Sequence, residues 1–239
     1  MAEGLDDAAV LRVGSAFPDP PFNGEADAPS GLDVDLTAAL ARSLGWGIRF
    51  VPYRGADFDG IFAGLGTDYD CVASGTTITP ARERLAAFGE PYLVSGQAIA
   101  VDVGRHPDVR GVDDLDGLVI GVQNGNTSEP IARRLVADGK AASLKVYAYD
   151  RIREAVSDLT SGACDVLMKL DPVLTDLVRP TPGVEVVARG LSVERVAVAT
   201  RIGDPLGARL ARAQAQLEAD GTLARFRRIR LGRADLEQP

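Results

Sequence analysis

From Leu11 onward, short apolar runs alternate with stretches of helical periodicity, and near Leu115 the alternation begins again. An alternation of this kind is the pattern of an α/β fold with largely parallel sheets. In the first cycle Leu11–Gly14 reads as a strand. Leu36, Leu40 and Leu44 then recur at helical spacing behind Asp33 and before Gly45, as in a capped amphipathic helix. Ile48–Pro52 is the next strand, a short helix after Asp57 carries Ile61, Phe62 and Leu65, and the strand 69–74 runs into Gly75-Thr76-Thr77. In the second cycle Leu118–Val122 is a strand, a helix carries Ile131 and Leu135 up to Gly139, and 165–170 closes the unit before Pro172. The strand 193–200 then leads to Asp204-Pro205, a helix start with proline at the first helical position. Two lobes follow, one from 1–95 with 196–239 and one from 96–195, hinged near 94–97 and 191–196, with a ligand cleft expected between them.

Composition narrows the function. Acidic residues outnumber basic ones 34 to 26 in the 239-residue chain, and no Lys/Arg cluster suggests a nucleic-acid groove. Apolar runs such as Leu118–Val122 and Val196–Ala199 fall far short of the roughly 20 residues a membrane span needs. The start Met1-Ala2-Glu3-Gly4 lacks the pattern of a signal peptide, so the expectation is a cytosolic chain or a trimmed mature form. Cys71 and Cys164 show no metal or redox spacing and read as two buried free thiols. The one histidine, His106, in a polar loop, reads as solvated, which argues against His-based metal sites and most nucleophile–His arrangements. No cofactor and no metal are expected.

Two segments have the character of ligand loops. In the first, from Asp70 to Arg82, a strand ends in small hydroxyl residues and Thr79-Pro80 is expected to begin a helix with Arg82 in its first turn. A cation there opposes the helix macrodipole, and an anionic ligand would resolve the conflict. Arg82 would grip a carboxylate through its bidentate fork, assisted by Thr77 and backbone donors; the alternative is a solvated arginine beside a structural cap. The second segment, Ile120 to Pro130, is again a strand, a small-residue loop that includes Gln123 and Asn126, and a helix start. Free N–H groups at such an end bind anions, and Thr127 is expected to cap the helix and face the cleft, with Glu129 favoured by the dipole. One such loop per lobe, each at strand C-terminal ends, is where open α/β sheets bind ligands.

The chain resembles the bacterial extracellular solute-binding proteins of the polar amino-acid uptake type, with the type II periplasmic-binding-protein fold. The resemblance runs from about Leu11 to Gly232. It is carried by Leu11-Arg12-Val13-Gly14, Pro20-Pro21-Phe22, Gly31 to Leu36, Asp57-Phe58-Asp59, Ser74 to Arg82, and Phe88 to Tyr92 ahead of Ser95-Gly96-Gln97. Val119 to Thr127, Gly162-Ala163-Cys164-Asp165 and Ala219 to Leu223 complete it. It implies that Arg82 holds a ligand α-carboxylate with Thr77 and backbone donors around Thr127, that Ser74 and Gly75 line the floor, and that Phe58 stands on an aromatic wall.

Two departures bear on ligand choice. Where the family often places an acid and, three residues later, an aromatic ring, this chain has Ala16 and Asp19, so that the aromatic lid is either missing or supplied by Phe17. Where the family usually has an ammonium-binding Asp, five residues after Asp165, this chain has Leu170, with Asp171 one position on. Asp171 would take the amine after a register change, or the ammonium site is absent; Asp19 would instead meet a cationic group of the ligand. The resemblance therefore implies an extracytoplasmic, monomeric protein that captures a small amino-acid-like or carboxylate solute for an ABC permease. The same fold also serves sensor ectodomains and cyclohexadienyl dehydratases; in a dehydratase, Glu129 would be the proton donor.

Overall fold

In the computed structural model, residues 9–232 are described, so residues 1–8 and 233–239 of the expected first lobe lie outside the described residues. The elements in chain order are β1 (Val10–Ala16), α1 (Leu32–Ser43), β2 (Gly47–Tyr53), β3 (Cys71–Val72), β4 (Ala87–Phe88), β5 (Leu93–Ser95) and β6 (Gln97–Asp102). Then come β7 (Val119–Gln123), α2 (Ser128–Ala137), β8 (Ser143–Tyr147), α3 (Ile152–Ser161), β9 (Val166–Leu170) and α4 (Asp171–Val178). The chain continues with β10 (Val184–Ala188), β11 (Glu194–Val196), β12 (Ala199–Thr200), α5 (Leu206–Ala219) and α6 (Thr222–Leu231).

The described chain divides into two compact units. One holds the residues up to Tyr53, Ile61–Leu93 and the segment from Val196 onward; the other holds Arg54–Gly60 and Val94–Arg195. Arg54–Gly60, placed in the first lobe by its position in the sequence, thus clusters with the second unit. The chain crosses from one unit to the other inside β5 and β11, which pair as a two-stranded sheet.

The first unit is built on a sheet of order β2-β1-β3-β12-β4. Strand β1 runs parallel to its neighbours β2 and β3, with Val13 opposite both Phe50 and Cys71. Helix α1 buries Leu32, Leu36 and Leu40, one face at i, i+4 and i+8. Gly31 precedes it at φ +139°, where a Cβ would come within 2.2 Å of the Phe22 carbonyl oxygen, so the entry to the helix admits only glycine. Asp33 does not cap α1, as its position in the sequence suggests; it lies inside the first turn, and its carboxylate reaches the loop after β3.

The second unit has the sheet order β10-β6-β9-β7-β8. Strand alternation splits its core in two. Ala98, Ala100 and Leu167 pack with Leu159 of α3 and Leu174 of α4; Ile99, Val101, Val166 and Met168 pack on the other side with Ala132 of α2. Both faces are covered, so the central strands are apolar over most of their length, with polar residues such as Gln97, Gln123 and Lys169 at or near their ends. The expectation of largely parallel sheets needs correcting: β6 runs antiparallel to β9 and β10, and β12 antiparallel to β3 and β4. Both exceptions lie beside the connecting segments, where the chain re-enters a sheet without a helical crossover, and a parallel neighbour requires such a crossover.

Several shorter expectations also change. The segment 193–200 is two short strands, with Val193 81% exposed. Only Cys71–Val72 of the segment 69–74 pairs as strand. His106 is not solvated: its Nε2 lies 3.0 Å from Asp165 Oδ1, and Asp165 also accepts the Val119 N–H. The Asp204 carboxylate accepts the Leu206 N–H at 2.9 Å, as the start of α5 requires. Both cysteines are free and buried. Among the described residues, no helix is long and apolar enough to cross a membrane.

Candidate functional site

The first unit carries a polar loop at the C-terminal end of β3, from Ser74 to Arg82. It is fixed from three sides. Ser74 Oγ accepts the Ala16 N–H at 3.0 Å and lies 3.4 Å from Asn23 Nδ2. The Gly75 N–H donates to Asp33 Oδ2 at 2.7 Å, and the Thr76 carbonyl accepts the Ala197 N–H at 3.0 Å. Thr77 forms a single β-bridge with Val196. Gly75 sits at φ +55° under the Phe22 ring, 2.9 Å from where a Cβ would be, so any side chain would drive the loop off its supports.

Behind the loop, Asp33 is fully buried and also accepts the Tyr92 hydroxyl. Burial pushes its carboxyl up to about 7, against the stabilising donors Tyr92 and Gly75, and the charge of Asp19 adds to the rise. Tyr92 is raised as well, by burial and by the neighbouring Asp33 charge.

Arg82 is 4% exposed, and its Nη1 donates to the Thr77 carbonyl at 3.1 Å. Thr79-Pro80 does not begin a helix, as expected from the sequence; only a three-residue 3₁₀ turn, Arg82–Arg84, forms, and Thr79 Oγ1 accepts the Arg82 N–H at 3.2 Å. One 3₁₀ turn has no substantial macrodipole, so no helix dipole opposes the Arg82 cation. What distinguishes Arg82 is its burial, with the guanidinium held against the main chain of the same loop. Of the other first-unit candidates, Asp19 is half-buried, its main chain bridged to Asn23, and Phe17 meets Phe50 edge-on at 6.4 Å.

The second unit gathers its polar side chains where β6, β7, β9 and β11 end or begin. Gln97 Nε2 donates to Glu194 Oε1 at 2.7 Å and to Thr127 Oγ1 at 3.1 Å, while Thr127 Oγ1 donates to Glu194 Oε2 at 2.8 Å. Ser192 Oγ adds a third bond to Glu194, at 3.1 Å. Thr127 therefore spends its hydroxyl on this network and makes no side-chain cap to α2, contrary to the expectation. The helix start is served by Glu129, which accepts the Gly125 N–H at 3.1 Å and pairs with Arg133. Gln123 Oε1 accepts both Lys169 Nζ at 2.6 Å and Asn126 Nδ2 at 2.8 Å, and Gln123 Nε2 donates to the Tyr149 carbonyl. Phe58 packs on Tyr149, ring centroids 5.8 Å apart. Asp171 accepts from Arg189 and from Thr175 Oγ1.

Ser74, Gly75, Thr77 and Arg82 thus lie on one loop, and Gln123, Asn126 and Thr127 on one edge of the second sheet. Asp171 stands with Arg189 instead. Sequence reasoning missed Asp33, Asn23 and Tyr92 as supports, and Glu194 and Lys169 as members of the second network. Lys169 alone had a signal, a lysine inside an apolar strand, which is tolerated only when paired; it is 2% exposed.

Residues 11–229 match the family model of bacterial extracellular solute-binding proteins, family 3. A putative amino-acid ABC transporter-binding protein, PatH, of Vibrio harveyi is 28% identical over 226 residues, 92% of this chain and 87% of that protein. The structure of an ancestral arginine-binding protein bound to arginine superposes with a TM-score of 0.84 at 33% identity, covering 95% of this chain and all of the other. The ancestral amino acid-binding protein AncCDT-1, a precursor of cyclohexadienyl dehydratase, superposes at 0.82 with 31% identity, over 93% of this chain and 95% of the other. With a family match spanning nearly the whole described chain, and a polar loop at the strand ends of each α/β unit, this chain belongs to the bacterial extracellular solute-binding proteins of family 3.

Proposed function

We propose that this protein captures a small amino-acid-like solute outside the cytoplasm, as a monomer, and delivers it to an ABC permease. The observation that carries the reading is Arg82, a guanidinium buried at the end of a loop whose backbone is fixed from three sides. It is the residue we assign to the ligand carboxylate, with Thr77, Ser74 and Gly75 beside it. Gln123, Asn126 and Thr127 of the second unit supply further polar contacts, and Phe58 an apolar one. The similarity to a putative amino-acid ABC transporter-binding protein and to arginine- and amino acid-binding ancestors supports the class of ligand. For a cationic group of the ligand we assign Asp19, half-buried in the first unit that carries the Ser74–Arg82 loop; the Asp171 carboxylate is held by Arg189 and Thr175.

The protein acts by binding, not by turnover. The acid that a dehydratase reading nominates, Glu129, is engaged by the Gly125 N–H and by Arg133, which accounts for it as the start of a helix. Calorimetric titration with L-arginine, L-glutamine, L-cystine and aliphatic carboxylic acids tests the reading. Binding of an α-amino acid that is lost in Arg82→Ala is the expected result. Conversion of prephenate or arogenate by the purified protein would replace it with the enzymatic alternative.

A further inference from the structure

The carboxylate of Asp33 is fully buried, belongs to α1, and spends its two oxygens on groups from elsewhere in the first unit: the Gly75 N–H at 2.7 Å and the Tyr92 hydroxyl. An ionised carboxylate is a costly way to fill such a position. Gly75 has no side chain to anchor it, and its left-handed conformation must be enforced from outside, by the Phe22 ring above it and the bond to Asp33. We propose that Asp33 is a positioning residue for the ligand loop, holding the Gly75 N–H so that Ser74–Thr77 presents its backbone and hydroxyls to the solute without Asp33 touching it. The inference rests on the assignment of that loop to ligand binding.

A consequence follows in pH. The carboxyl is pushed up to about 7, so it changes charge within the physiological range. The groups around it are few. Asp19, from the segment after β1, opposes its ionisation, and Tyr92, from the segment before β5, donates to it. The Tyr92 carbonyl takes Arg227 of α6, itself paired with Glu218 of α5, while Asp35 on α1 is paired with Arg230. Ionised, Asp33 gives Gly75 a charge-assisted hydrogen bond; protonated, it gives one about half as strong. Affinity for the solute therefore rises as the pH passes upward through about 7. Stability moves the other way. The folded value lies above that of the unfolded chain, so the folded protein holds a proton that the unfolded one has released, and stability falls as pH rises from about 4 to about 7. A residue with a structural role alone would produce only the second effect.

The test has two arms. In the ligand-free protein, the Gly75 amide resonance is followed by nitrogen–proton NMR from pH 5 to 8.5 in the wild type and in Asp33→Asn. It is expected to titrate with a midpoint near 7 in the first and to stay flat in the second. In parallel, affinity for L-arginine is measured over the same range, with Arg82→Ala as control; wild-type binding is expected to strengthen about tenfold towards high pH and Asp33→Asn to show no such trend. A Gly75 amide that does not titrate, or an Asp33→Asn variant that keeps the wild-type pH profile of binding, overturns the proposal. If L-arginine binds at no pH, or binds Arg82→Ala as well as wild type, the ligand assignment fails instead, and Asp33 is judged on the Gly75 amide alone.

Discussion

The two polar faces are constructed on opposite principles. In the first unit the loop is held by bonds to its main chain: Gly75 by Asp33, the Thr76 carbonyl by the Ala197 N–H, with the Ser74 hydroxyl anchored to the Ala16 N–H. In the second unit the bonds run from side chain to side chain, through Gln97, Thr127 and Glu194 and through Lys169, Gln123 and Asn126. A main-chain scaffold presents the same donors whatever residues occupy the loop, and it suits the part of a ligand that never varies. A side-chain network changes with each substitution, and it suits the part that distinguishes one solute from another. On the proposed reading, the loop of the first unit would take the carboxylate common to amino acids, and the network of the second would contribute to telling solutes apart.

Arg82→Ala should break the comparison most directly. Loss of one partner of a buried charge pair is expected to cost at least about 3 kcal/mol of binding for every solute accepted, read by calorimetry. An affinity within threefold of wild type in a folded variant would remove Arg82 from the site. Thr127→Val sharpens the other side of the contrast. It keeps the shape but strips Glu194 of a donor and Gln97 of an acceptor, which should lower stability by about 1–3 kcal/mol in denaturant unfolding. It should also change the rank order of bound solutes, and an unchanged order would deny the second face its selective role. Asp19→Asn is expected to weaken binding of a cationic amino acid about tenfold, about 1.4 kcal/mol. Asp171→Asn should change it less than twofold, because Asp171 is committed to Arg189; the reverse ranking would move the amine site to the second unit.

The smallest effect separates the units by acid response. Protonation of Asp33 costs the fold no stability, whereas Asp165 in the second unit behaves in the opposite sense. Burial pushes Asp165 up, but the Val119 N–H, His106 and Arg105 outweigh it and hold the carboxyl below its ordinary value. Its contribution to stability is present above the unfolded value, about 3.9, and is lost as pH falls through the lower folded one. Asp113 and Asp158 are held low in the second unit as well, against Asp70 and Asp220 in the first, so below pH 4 the second unit should weaken more than the first. The single tryptophan, Trp46, lies in the first unit, so its fluorescence should report a higher melting temperature than the far-ultraviolet dichroism of the whole chain. Coincident transitions at pH 3 would show that the units do not respond separately.

Much of this was legible in the chain itself. The repeated α/β cycle, the apolar strands of the second sheet and the helical stripe through Leu36 and Leu40 are local periodicities, and periodicity is decided by which faces must be buried. The loops from Ser74 to Arg82 and from Gln123 to Thr127 could likewise be read from small and hydroxyl residues at the ends of apolar runs. What could not be read were the partners. Asp33 looks like a helix cap, and only its distance to Gly75, 42 residues away, shows that it serves a different loop. Thr127 has the sequence of a cap and the bonds of a network member, because Glu194 arrives from a strand 67 residues further on. Arg82 was singled out for a helix that does not form, while the burial that makes it significant comes from packing that no spacing rule records. Hydrophobic pattern is a property of neighbours along the chain and survives in the sequence. The choice of hydrogen-bond partner belongs to groups brought together only after the sheets have formed, and the tertiary structure alone decides it.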